Sequence, residues 1–288
     1  MTWLITGAGG MVARDLADAL AARDERFVAL PKSDFDICDA RMVDKVVREV
    51  HPSVIVNCAA YTKVDAAEEH ERVANAVNGS AVEFLADGAN AVDALLVQLS
   101  TDFVFDGAAQ EPYEVNAPTA PLSAYGRSKL LGELAATHAC RHVVLRTSWL
   151  FGKHGPNFVE AIRNQIRKDT NPLRVVNDQR GRPTYTPHLA EAVVRVVTSG
   201  ATGIVHYADA PECTWFDFAR EIVAQLGAGI DVRPVTTDEF PRPARRPAYS
   251  VLSTERYERL TGVEPASWQE GLREYLPTSD TPHSPPIP

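Results

Sequence analysis

Residues 2–16, TWLITGAGGMVARDL, restrict the fold more than any other stretch. An apolar run, Trp3-Leu4-Ile5, meets Gly7, Gly9 and Gly10 and passes into a helical pattern from near Met11, with Leu16 and Leu20 on one face. Glycines at a first strand-to-helix turn let the backbone bend tightly and approach a dinucleotide pyrophosphate. The free N–H groups and dipole of the helix then receive that charge. The third position of the glycine fingerprint is Ala13, a permitted variant that adds a methyl at the helix–strand contact.

The alternation continues through the first half. Phe27-Val28-Ala29-Leu30 reads as a second strand, DARMVDKVVREV as a helix with Asp39 as its N-cap, and SVIVNCAA as a short, wholly apolar strand. Helical stretches fill roughly 65 to 90, and ALLVQLS and HVVLRTSWLF are two more strands. Strand and helix in turn at these lengths imply an α/β fold, a Rossmann-type doubly wound parallel sheet covered on both faces. Residues 1–150 are expected to form this dinucleotide-binding domain, with 173–200 packing back onto it. Residues 151–172 and 201–277 are expected to form a smaller C-terminal substrate-binding lobe. It would hold the amphipathic helices NFVEAIRNQIR and FDFAREIVAQLG and a proline and arginine cluster at 241–247. LRVV reads as a short strand, and HLAEAVVRVVTSG as a helix ending at Gly200. The tail, 278–288, carries too little apolar surface to order itself.

An acidic residue ending the second strand would bind an adenosine ribose and favour NADH. Here Pro31-Lys32-Ser33 stands in that place, with Asp34 following too late. Lys32 and Ser33 suit a 2′-phosphate, so NADPH is favoured over NADH.

Two further stretches carry chemistry. ALLVQLS leads into Ser100-Thr101-Asp102 at the carboxyl edge of a strand, where α/β proteins place ligands. In SAYGRSK, Tyr125 and Lys129 stand four apart, on one face of a helix. After the glycine turn, this order resembles the extended short-chain dehydrogenase/reductase family, with Tyr-x-x-x-Lys and a hydroxyl on the preceding strand. Thr101 replaces the commoner serine and keeps the donor. Hydride reaching a carbonyl carbon puts negative charge on its oxygen, so an acid must deliver a proton. Tyr125 is that acid, Lys129 is expected to lower its pKa and to hold the nicotinamide ribose, and Thr101 is expected to orient the carbonyl.

VIVNCAAYTKVDAAE, STDFVFDG, PLSAYGRSKLLGE, LRTSWLFG, NDQRGRPTY and RPAYSVLST narrow the resemblance, across nearly the whole chain, to the dTDP-4-dehydrorhamnose reductase family. That resemblance implies reduction of the 4-keto group of dTDP-4-dehydro-L-rhamnose to dTDP-L-rhamnose. It places Gly10, Met11 and Val12 against the cofactor pyrophosphate, Asp36 and Ile37 near the adenine, and Ala60, Tyr61 and Thr62 along the nicotinamide half. Thr101, Asp102 and Trp149 would touch the sugar nucleotide. Arg182, Arg245 and Arg246 are candidates to grip its diphosphate, since the guanidinium fork binds two oxygens at once. Two alternatives stay open: another dTDP-4-keto-6-deoxysugar 4-ketoreductase, or a non-catalytic regulatory subunit on the same fold. The second has no need of the acid. The family's magnesium is not carried over, because Pro187-His188 stands where a second carboxylate beside Asp15 is sought.

The bulk numbers set limits. A formal charge of −9, from 29 basic and 38 acidic residues without a long basic block, argues against nucleic acid as a partner. Cys38, Cys58, Cys140 and Cys213 lack metal-site spacing and are expected to be reduced and mostly buried. With no signal peptide and no membrane span legible, a cytoplasmic location is expected. A homodimer stays open.

Overall fold

The computed structural model describes residues 1–276, so the expected tail lies outside the described residues. Five strands in chain order, β1 (Thr2–Thr6), β2 (Arg26–Leu30), β3 (Val54–Asn57), β4 (Leu95–Thr101) and β5 (His142–Thr147), join a sixth, Gly203–His206, in one sheet. Its spatial order is Gly203–His206, β5, β4, β3, β1, β2, and every pairing is parallel. β3 and β4 are buried along their whole length, the property of strands covered on both faces. On one face α1 (Met11–Ala21) and the helix Thr186–Thr198 supply Leu16, Leu20, Leu189 and Val193. On the other, α2 (Ala40–Val50) and the helices Ala81–Ala91 and Ala124–Ala136 supply Val43, Val47, Leu85 and Ala135. The chain moves from β1 outward to β2 and then returns to the opposite side of β1 as β3. The switch point therefore lies between β1 and β3, at their carboxyl ends.

A second apolar cluster, with Phe151, Ile162, Phe218 and Leu272, is built from the helices Phe158–Arg167, Trp215–Gln225 and Trp268–Tyr275. A parallel strand pair, Leu173–Val176 with Val232–Val235, completes it. Three boundaries differ from expectation. Leu173–Val176 belongs with this cluster, so only the helical part of 173–200 packs back on the sheet. Gly203–His206, expected in the lobe, is the sheet's edge strand, because its backbone pairs with β5. The run HVVLRTSWLF does not form one strand: Trp149 adopts a φ of +48°, and Leu150–Phe151 turns away to pair with Thr184–Tyr185.

Local signals held where the physics is local. The Asp39 side chain accepts from the backbone N–H groups of Arg41 and Met42 and caps α2. Gly200, with φ +72°, follows the end of the helix Thr186–Thr198. The helical stretch 65–90 is broken into Val64–Ala67, Glu71–Asn75, a π-turn at Ala76–Ser80 and Ala81–Ala91. All four cysteines are free, but only Cys213 is buried; Cys38 and Cys140 are exposed and Cys58 is half-buried. Among the described residues no helix is long and apolar enough to cross a membrane.

Candidate active site

The glycine turn sits at the switch point. Gly7 has φ +65°, and a Cβ there would stand 2.9 Å from the Cα of Ala59, so both conformation and space demand glycine. The Gly10 N–H closes the turn on the Gly7 carbonyl at 2.9 Å, and the Ala8 N–H ties it to the Leu30 carbonyl at the end of β2. Gly10 then enters α1 in an extended conformation with no side-chain cap. The first N–H groups of the helix, at Met11 and Val12, therefore have no intrahelical acceptor. A Cβ at Gly9 would meet nothing within 4 Å. This uncapped, side-chain-free turn fits a pyrophosphate. Exposed Lys32 and Ser33 follow the end of β2, with Asp36 beside Lys32 at 3.9 Å and Ile37 buried.

The Ala124–Ala136 helix starts where Ser123 accepts the Gly126 N–H at 3.1 Å. Its first turn presses on the end of β4: a Cβ at Gly126 would lie 2.3 Å from the Phe103 carbonyl oxygen. Tyr125 thus packs edge-on against Phe103, with ring centroids 5.6 Å apart, and its phenol faces the Thr101 hydroxyl. One turn on, buried Lys129 donates from Nζ to the Leu99 carbonyl at 2.6 Å. Its charge also acts on the Cys58 thiol, whose backbone borders Gly7. The structure thereby brings Thr101, Tyr125, Lys129 and the glycine turn to one edge of the sheet.

The electrostatics correct one expectation. Burial, and then the Asp102 charge, push the Tyr125 phenol up to about 12; the Thr101 hydroxyl pulls the other way. Lys129 is not among the groups that shift the phenol, and its ammonium donates to the Leu99 carbonyl. Burial lowers Lys129 itself to about 8, against the pull of Glu133 and Cys58. At neutral pH the phenol keeps its proton and the lysine its charge.

Residues that the sequence analysis missed hold this arrangement. Asn78, in the π-turn, accepts the Tyr61 N–H at 2.8 Å and donates from Nδ2 to the Tyr61 carbonyl (3.0 Å) and to Ser128 Oγ (2.9 Å). Ser128 in turn donates to the Tyr125 carbonyl at 2.7 Å. Asn78 thus fixes the Ala60-Tyr61-Thr62 loop against the Tyr125 helix, and the Asn78-Gly79 pair inside a helical stretch was the only local sign. Beneath the lysine, Glu133 accepts from Arg146 Nε (2.8 Å) and Nη2 (2.6 Å) and from Ser100 Oγ (2.6 Å).

The expected sugar-nucleotide residues divide. Arg245 is exposed and lines a cleft of about 730 Å³ with Phe158, Trp215, Arg242 and Arg246. Arg246 also borders an adjoining hollow of about 640 Å³ that reaches Lys63, the residue after Thr62. It is already paired with both oxygens of Asp65, at 2.9 and 3.1 Å. Trp149 stacks on Trp215 with centroids 3.6 Å apart, and its ring fills the space a Cβ at Gly181 would take. Arg182 is not a free clamp: its Nη1 donates to the Leu252 carbonyl and to Thr254 Oγ1, both at 3.2 Å. Asp102 is 1 % exposed with both carboxylate oxygens occupied, so it supports Thr101 rather than standing open to a sugar.

Comparison with known proteins identifies the family. The family model described as "RmlD substrate binding domain" matches residues 1–280. A dTDP-4-keto-6-deoxy-D-glucose reductase of Streptomyces niveus is 41% identical over 280 residues, 96% of each chain. A dTDP-4-dehydrorhamnose reductase of Streptomyces griseus is 41% identical over 285 residues, 96% of this chain and 93% of that one. The crystal structure of dTDP-4-dehydrorhamnose reductase from Bacillus anthracis, in complex with NADP, superposes with a TM-score of 0.91 at 35% identity, covering 95% of this chain and 98% of that one.

Proposed function

This chain belongs to the RmlD substrate binding domain family, and from that premise we propose that it reduces the 4-keto group of dTDP-4-dehydro-L-rhamnose to give dTDP-L-rhamnose. The observation that carries the reading is the joining of Thr101, Tyr125 and Lys129 at the sheet edge that also bears the glycine turn. Met11, Val12 and the glycines would hold NADPH by its pyrophosphate, with Ala60, Tyr61 and Thr62 along its nicotinamide half; when bound, the cofactor supplies hydride. The chain's own residues supply the rest. Tyr125, protonated at neutral pH, gives its proton to the carbonyl oxygen as that atom gains charge. Thr101, the partner of the phenol, orients the carbonyl. Lys129, on the same helix face and cationic below a pH of about 8, would hold the nicotinamide ribose. Arg245, exposed in the cleft, would meet the diphosphate.

The relative from Streptomyces niveus favours a second reading, a different dTDP-4-keto-6-deoxysugar with unchanged chemistry. One experiment tests both: purified protein with NADPH and each 4-keto sugar, following cofactor absorbance and assigning the product alcohol by NMR. Consumption of NADPH no faster than without sugar, for every substrate, defeats the proposal.

Lys32 and Ser33 set the cofactor preference in this reading. A charge-assisted contact to a 2′-phosphate contributes about 1.5–3 kcal/mol. Replacing both by alanine should therefore raise the KM for NADPH about tenfold or more while leaving that for NADH unchanged. Equal shifts for the two cofactors would assign the phosphate elsewhere. The exposed free thiols of Cys38 and Cys140 suit the reducing cytoplasm, where we place the protein.

A further inference from the structure

Asp102 lies directly behind the hydroxyl that partners Tyr125, and its own hydrogen-bond partners are neutral. Oδ1 accepts from Thr101 Oγ1 at 2.9 Å, and Oδ2 accepts from Ser250 Oγ at 2.5 Å. Ser250 is 148 residues away in sequence and equally buried, at 1 % exposure. The segment bearing it is fixed on both sides. The Ser250 N–H donates to the Arg180 carbonyl at 2.8 Å, the Tyr249 N–H to the Gly107 carbonyl at 3.2 Å, and the Tyr113 N–H to the Val251 carbonyl at 2.8 Å. Gly107 leaves no room for drift, since a Cβ there would stand 2.6 Å from the Cα of Pro247. A serine delivered so firmly to a buried carboxylate does more than fill space.

We propose that Ser250 is a positioning residue for the reduction: it holds Asp102, Asp102 holds the Thr101 hydroxyl, and that hydroxyl sets how Tyr125 and the substrate carbonyl meet. The inference rests on the reductase reading above. The bonds to Asp102 and from the Phe103 N–H fix the Thr101 oxygen beside the phenol, so the Thr101 and Tyr125 hydroxyls stay set around one carbonyl oxygen. Without Ser250, Oδ2 loses its side-chain donor, and the Thr101 bond and backbone N–H groups that remain hold the carboxylate less firmly, so Thr101 shifts with it. Tyr125, from the Ala124–Ala136 helix, is the titratable group that faces Asp102; Thr101 and Phe103 come from the end of β4, and Ser250 from the crossing segment.

The test compares wild type with S250A and S250T under two measurements. In steady-state reduction, S250A should lower kcat about tenfold to hundredfold, the cost of a small misplacement at a reacting centre. KM for NADPH and for the sugar should stay within twofold, and S250T, which restores the hydroxyl, should recover the rate. In infrared titration without substrate, the Asp102 carboxyl band is identified by its loss in D102N. Its midpoint, about 6 in the wild type, should rise in S250A, because a hydrogen bond to the ionised form has gone. Both effects together support the proposal. An unmoved midpoint, an unchanged kcat, or a lost rate that S250T does not recover each overturn it. If the wild type reduces no dTDP-sugar, the reductase reading fails by itself, and the infrared midpoint alone decides whether Ser250 controls Asp102.

Discussion

Tyr125→Phe is expected to lower kcat by about 10²–10⁴-fold, the usual contribution of a positioned general acid, while the Kd for NADPH changes little. The phenol oxygen is the only atom removed, and the ring's edge-on contact with Phe103 remains. The helix that carries it is fixed by its Ser123 cap and by the close approach of Gly126 to Phe103, neither of which involves the phenol. Rapid-mixing and steady-state rates set against cofactor titration by fluorescence make the comparison. A variant that keeps wild-type turnover removes Tyr125 as proton donor. The wild-type pH profile carries the same argument. Because burial and Asp102 hold the phenol near 12, the acid is fully protonated through neutral pH and its own alkaline limb lies well above that range. Lys129, lowered by burial to about 8, loses its charge as pH rises through that value, so kcat should decline on the alkaline side from there and not from the ordinary lysine range. Lys129→Met should remove that limb along with most of the rate.

Glu133→Ala is expected to destabilise the protein by about 3–5 kcal/mol, the cost of stranding one partner of a buried ion pair. Glu133 and Arg146 are 4 and 2 % exposed. Arg146 is further surrounded by the Phe105 ring, 5.0 Å below its guanidinium, and by His206 Nε2 at 3.3 Å. Burial and the Arg146 charge lower His206 to about 3, so it is neutral and cannot substitute for the carboxylate. Removing Glu133 leaves the guanidinium buried opposite an apolar methyl and frees Ser100, the residue before Thr101. Glu133→Gln keeps acceptors for Ser100 and one Arg146 nitrogen and should cost less. Urea unfolding of the three proteins measures the difference, and a loss below about 1 kcal/mol for the alanine variant would mean that the ion pair contributes little beyond its hydrophobic isostere.

How much was legible follows from how far apart the interacting residues are. The glycine turn, the Asp39 cap and the shared face of Tyr125 and Lys129 are decided within about four residues of chain, and each stands where the pattern places it. The strands β3 and β4 declared themselves by continuous apolar runs because parallel strands are buried on both faces. The break at Trp149 was not legible. Its positive φ is imposed by stacking on Trp215 and by the vacancy at Gly181, and neither neighbour lies within 30 residues of it. Asn78 looked like an interior helix residue because its partners are the backbone of Tyr61 and a serine fifty residues on.

From residue types and spacing alone came the class of fold, the edge of the sheet where chemistry occurs, and the acid that performs it, since turn geometry and helical periodicity are properties of adjacent residues. Tertiary structure alone decided the state of that acid. The phenol's pKa stands above its ordinary value because its site is dry and faces Asp102, and Asp102 is held by a serine that only the folded chain brings across 148 positions. Desolvation and long-range charge depend on what surrounds a group in space, and a one-dimensional string of residues does not record that surrounding.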